Sequence, residues 1–122
     1  MSEQGTDPLP RAWLFYVDDM IGFATRILSY TRGIDQAVFE ATDLVYDATL
    51  RNLELIGETA THIPDDVRAR TAERIPWRLV IATRNRLIHA YLGIDNDTVW
   101  SIIQGDIPVL LVELHKLKDE CR

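Results

Sequence analysis

Arg84, Asn85 and His89 are the residues in this chain whose types and spacing could do chemistry together. They fall within Ile75-Pro76-Trp77-Arg78-Leu79-Val80-Ile81-Ala82-Thr83-Arg84-Asn85-Arg86-Leu87-Ile88-His89-Ala90-Tyr91. Plotted at about 100° per residue, Trp77, Val80, Ile81, Leu87, Ile88 and Leu92 make one apolar face, with Arg84 near its middle. A guanidinium aimed at an apolar surface is costly unless a carboxylate, a phosphate or a cleft receives it. Asn85 and His89, four residues apart, share the stripe beside the arginine; Arg78 lies upstream, and Tyr91 returns to the arginine's own side. A guanidinium can hold a phosphate through two hydrogen bonds, and an imidazole gains and loses a proton near neutral pH. That pair suits phosphodiester chemistry. The structural alternative is an ion pair from Arg84 to Glu54 or Glu58.

Arg84, four intervening residues, His89, one residue and then Tyr91 resemble the motif of the HepT family, a branch of the HEPN superfamily of small all-helical proteins. The motif alone would recur by chance in many helices. Its company is more specific, because Arg51-Asn52-Leu53-Glu54-Leu55-Ile56-Gly57-Glu58, Ile75-Pro76-Trp77, Val99-Trp100 and Asp106-Ile107-Pro108 also fall in the family's order. The resemblance spans roughly residues 10 to 115.

What it implies is the toxin half of a type VII-like, two-gene toxin–antitoxin system. That toxin is an endoribonuclease that needs neither metal nor cofactor. Arg84 and His89 would be catalytic, Asn85 would position phosphate or water, and Arg78 and Arg86 would contact RNA phosphates. The partner would be a minimal nucleotidyltransferase antitoxin that silences the enzyme by adding AMP to Tyr91. Because one chain offers a single histidine to a reaction that benefits from both an acid and a base, a homodimer or higher oligomer is expected. Two other readings stand beside this one. A non-catalytic HEPN helical module would bind nucleotide or a nucleotidyltransferase, and a purely structural helical dimer would use Arg84 as an ion pair.

Composition narrows the classes. A chain of 122 residues with 47% hydrophobic and 26% charged residues suits one ordinary globular domain, here residues 10–122 behind a disordered tail of residues 1–9. No apolar run approaches the ~20 residues of a membrane span, and the opening residues do not read as a signal peptide, so a cytoplasmic location is expected. A lone Cys121 allows no internal disulfide, and His62, His89 and His115 lack metal-site spacing. A net charge of −6 argues against non-specific coating of nucleic acid. The charge is uneven, however: Arg68, Arg70, Arg74, Arg78, Arg84 and Arg86 crowd residues 68–86 against Glu73 alone. A solvated face would look similar.

The remaining elements follow from periodicity and caps. Trp13, Val17, Met20, Ala24, Ile27 and Leu28 predict a helix from about Arg11 to Arg32, stopped by Gly33. Asp35 can cap a short helix through Glu40, and Thr42 or Asp43 opens a long one to about Thr61. That second long helix carries apolar residues on more than one side, a glycine at position 57 that permits a close helix contact, and a polar row of Arg51, Glu54 and Glu58, which is either an intrahelical salt-bridge ladder or a source of a carboxylate that orients Arg84 or closes a dimer contact. Pro64 starts a short helix through about Ala72, and Pro76 starts the helix of Arg84, which Gly93 would end near Tyr91. Asp97 and Thr98 are expected to cap a segment through Gln104, and Pro108 to open a final helix. The fold predicted is all-α, a bundle of four main helices with short connecting ones.

Overall fold

In a computed structural model, residues 12–89 and 94–121 are described, and their regular structure is entirely helical. Four long helices make the bundle: α1 (Leu14–Thr31), α3 (Asp43–Ala60), α5 (Trp77–Ile88) and α7 (Ile107–Glu120). Three short ones connect them: α2 (Gln36–Ala41), α4 (Asp65–Thr71) and α6 (Asn96–Ser101). A π-helical turn, Ile102–Asp106, joins α6 to α7. The expected tail and the expected start of α1 at Arg11 lie outside the described residues.

Buried positions step by fours and threes. The series is Trp13, Val17, Met20, Ala24, Ile27 and Thr31 along α1, Thr49, Leu53, Ile56 and Ala60 along α3, which buries Asn52 and Gly57 beside it, and Ile103, Ile107, Leu110, Leu114 and Leu117 toward and along α7. This mean spacing of about 3.5 residues keeps one narrow stripe turned to a neighbour along the whole helix length. Accordingly α1 packs against both α3 and α7, and α3 also packs against α2 and α5. Although α3 lies between two long helices, its apolar residues are not all enclosed. Leu44 is 85% exposed, so that helix buries a stripe and not its whole girth.

Local signals explain most boundaries. Gly33 takes φ 76°, the left-handed conformation that glycine adopts without strain, just past the end of α1. The Asp35 carboxylate accepts the Val38 amide at 2.9 Å and starts α2. Thr42 precedes α3, but its hydroxyl donates to the Val38 carbonyl and caps no amide.

One boundary differs from expectation. The cap of α6 is Asp95, which accepts the Thr98 amide at 2.8 Å; Asp97 instead accepts a hydrogen bond from Gln36. Pro108 stands in the first turn of α7, where it was expected to open the final helix, although backbone of α type also runs on from α6 through the π turn into α7. A proline lacks the amide for an ordinary helical bond, and its ring crowds the carbonyl four residues back, here that of Gln104. The wider π turn relieves both problems without breaking the helix.

Candidate active site

Trp77 sets the start of α5. It is buried, and its indole N–H donates to the Thr71 hydroxyl at 2.8 Å, while that hydroxyl donates in turn to the Val67 carbonyl. With Ile75 also buried, the Ile75-Pro76-Trp77 segment pins α5 to α4. Arg74 adds a tie from this corner to the end of α7, donating to both carboxylate oxygens of Glu120 at 2.9 and 3.0 Å. The guanidinium holds the Glu120 carboxyl below its ordinary range.

From that anchor α5 runs across α3, and the crossing falls at Gly57. An added Cβ there would stand 2.1 Å from the Arg84 Cβ, 2.9 Å from the Val80 carbonyl oxygen and 3.0 Å from the Arg84 Cγ. Only a residue without a side chain lets the two backbones approach so closely. The stem of Arg84 therefore lies against the bundle, as its place on the apolar face predicts. Its guanidinium donates from Nη1 to Asn85 Oδ1 at 2.8 Å, while its Nε is buried without a hydrogen-bond partner. Among the described residues Arg84 makes no ion pair. The expected alternative, a pair to Glu54 or Glu58, is absent there; Glu54 is engaged by Arg51 at 3.1 Å.

The other predicted residues are placed less compactly. The helix ends at Ile88, one turn before the predicted end, and His89 leaves helical geometry at φ −104° and ψ 75°. His89 is exposed at this terminus, as is Asn85 four residues before it, and about 7.5 Å of axial rise separates the position of His89 from Arg84. Arg78 and Arg86 are exposed on α5. Arg86 follows Arg84 by two residues and so turns roughly 160° away from it. Its charge helps keep the Asp95 carboxyl below the ordinary range, an effect owed first to the amide and then the hydroxyl of Thr98. Tyr91 and Leu92 lie outside the described residues.

The apolar face predicted for α5 is only partly covered. Trp77 is buried, Val80, Ile81 and Leu87 pack against the core at its edge, and Ile88 is 43% exposed. Leu79, on the neighbouring face, is 56% exposed. No group of three or more His, Cys, Asp or Glu side chains is placed to hold a metal ion among the described residues. Nor is any helix there long and apolar enough to cross a membrane.

Sequence reasoning anticipated a close contact at Gly57 without its partner, which no local pattern specifies. It missed the Thr71–Trp77 bond, for which a threonine six residues before a tryptophan is too common a spacing to serve as a signal.

The chain matches the family described as ribonuclease HepT-like over residues 20–117. It is also similar to a Thermococcus cleftensis protein named as a candidate ribonuclease HepT, with 36% identity over 84% of this chain and 93% of the relative. A Methanocaldococcus jannaschii protein named as a candidate RNase, MJ1380, shares 32% identity over 81% of this chain and 90% of its own length. No solved structure matches the chain. With four long helices in the bundle, an arginine seated on Gly57 and a match over most of its length, the chain belongs to the HepT-like ribonuclease family.

Proposed function

We propose that this chain is a metal-independent endoribonuclease, the toxin of a two-gene toxin–antitoxin system, in which Arg84 and His89 cleave RNA through its 2′-hydroxyl. The observation that carries the reading is the state of Arg84. Its stem is held at the Gly57 crossing and its fork is oriented by Asn85, yet no carboxylate neutralises it among the described residues. A cation so fixed is suited to an anion arriving from outside.

In this reaction the 2′-oxygen attacks the adjacent phosphorus as a neutral imidazole takes its proton. The bond from phosphorus to the 5′-oxygen then breaks, and a protonated imidazole supplies the leaving oxygen with its proton. Arg84 stabilises the charge that builds on the phosphoryl oxygens in the transition state, where such a donor contributes most. The products are a 2′,3′-cyclic phosphate and a 5′-hydroxyl. Asn85 keeps the guanidinium in register, and Arg78 and Arg86 meet neighbouring RNA phosphates. Two copies related by a two-fold axis supply the two imidazoles, one as base and one as acid. The exposed Leu79 and Ile88 on α5 are available to such an interface. A partner nucleotidyltransferase adds AMP to Tyr91, placing phosphates and bulk where RNA must enter.

The test is cleavage of a defined RNA in the presence of EDTA. Arg84→Ala and His89→Ala should each abolish cutting while preserving the helical circular dichroism signal. RNA with 2′-deoxyribose at the cut site should resist. Cutting of that substrate, or a strict requirement for magnesium, would overturn the mechanism.

A further inference from the structure

The corner where α4 turns into α5 holds a groove of about 480 Å³. Ile75 and Trp77, both buried, form its floor, and exposed Pro76 and Leu79 extend that apolar surface to the rim. Each helix contributes one arginine, Arg68 from α4 and Arg78 from α5. Arg78 is exposed and makes no ion pair among the described residues. Arg68 is half-buried: its Nε is enclosed without a hydrogen-bond partner, and its terminal nitrogen is engaged by Asp65, whose side chain is 94% exposed. The groove thus combines two cations with an apolar floor, and the acid on one cation is itself in solvent and displaceable.

We propose that this groove binds a nucleotide of the RNA strand flanking the one that is cut, an inference resting on the ribonuclease reading above. Its phosphate lies between Arg68 and Arg78, displacing Asp65, and its base covers the exposed apolar surface of Pro76 and Leu79. A single-stranded RNA offers that combination at every nucleotide, a charge beside a flat apolar face. An acidic protein segment would satisfy the arginines and leave the apolar surface to chance. Position along α5 separates this groove from the reaction centre. Arg78 precedes Arg84 by about 9 Å and the His89 terminus by roughly 16 Å of axial rise. The same strand therefore reaches both places only by running along the helix, and short RNAs that end at the cut do not fill the groove.

The experiment measures binding of an RNA made uncleavable by 2′-deoxyribose at the cut site, by fluorescence anisotropy across a salt series. Arg68→Gln and Arg78→Gln should each weaken binding about tenfold, and the two together should reduce the slope of log affinity against log salt by about 0.7, the value for the one single-strand phosphate contact they share. Arg70→Gln removes an exposed arginine of α4 that does not line the groove, and should change affinity less than about twofold. Asp65→Asn, which frees Arg68, should tighten binding, a gain that no loss of folding can imitate. The proposal is overturned if the two groove variants behave as Arg70→Gln does, or if Asp65→Asn brings no gain, while the unaltered chain still binds and cuts RNA. If the unaltered chain neither binds nor cuts RNA, the ribonuclease reading itself fails and takes the groove with it.

Discussion

Substituting Gly57 by alanine tests whether the helix crossing sets the reactive geometry. In an ordinary helix this change stabilises by about 1 kcal/mol, because alanine loses less backbone freedom. Here the new Cβ would lie 2.1 Å from the Arg84 Cβ, so the gap must open by about 1.3 Å to reach the 3.4 Å at which ordinary contact begins. Neither neighbour can swing aside, since a Cβ is fixed to its backbone and the Val80 oxygen is backbone. The helices must part. Overpacking of this kind costs about 1–3 kcal/mol, which outweighs the propensity gain and leaves a net loss on the order of 1 kcal/mol. That corresponds to a fall in Tm of about 4 °C for a domain of this size. The catalytic consequence is larger, because displacing a reacting group by about 1 Å can cost on the order of a hundredfold in rate. Gly22→Ala is the control, since nothing lies within 4 Å of a Cβ at that position. It should stabilise α1 and leave cleavage unchanged. The assay pairs thermal unfolding with single-turnover RNA cleavage. Wild-type cleavage together with an unchanged or raised Tm in Gly57→Ala would refute the argument.

Light scattering at micromolar concentration should return about twice the 14.0 kDa chain mass or a multiple of it, and a clean monomer would remove the two-imidazole site. Tyr91→Phe should keep cleavage yet escape silencing by the partner nucleotidyltransferase with ATP; a Phe variant still modified and silenced would exclude Tyr91 as the acceptor. Acid should loosen two ties, because Asp95 and Glu120 both have carboxyls held below their ordinary range by Thr98 and Arg74 respectively. A depressed folded value gives stability that is present above the unfolded value of about 4 and lost as pH falls through the folded one. Tm should therefore hold from about pH 7 to 5 and drop below about 4, with a smaller drop in Asp95→Asn, which retains a capping oxygen. A Tm that rises on acidification would contradict this assignment.

The long helices were legible because burial imposed a period on them. Val17, Met20, Ala24 and Ile27 announce α1 and are all fully buried in it. The place of Arg84 on the apolar face was equally legible, since angular position depends only on helix geometry. Its lack of an ion pair among the described residues was not legible, because Glu54 could pair with Arg51 along its own helix or reach across to Arg84, and only three-dimensional placement decides for Arg51. The end of α5 was misread for a related reason. Gly93 offered a stop, but another helical turn needs tertiary contacts to outweigh its entropy, and Ile88 is already 43% exposed where α5 ends. The cap of α6 was placed at Asp97, but Asp95 takes that role and Gln36, distant in sequence, engages Asp97.

The widened turn at Ile102–Asp106 also resets the phase of the last helical rod. Val99, Ile103 and Ile107 are buried at two successive steps of four, after which Leu110, Leu114 and Leu117 return to alternating three and four. In a uniform α-helix two steps of four would advance the buried stripe by about 80°, carrying one half of the rod out of line with the other. A turn with more residues per revolution absorbs that advance. The rod can therefore present a single seam along its length although its two halves serve different neighbours. Trp100 of α6 meets Phe39 of α2 at a ring separation of 5.3 Å, while α7 lies along α1. The turn works as a phase corrector between two docking registers, and the helix that carries Arg84 borders it through a small apolar cavity lined by Leu79, Val80, Ile102 and Ile107.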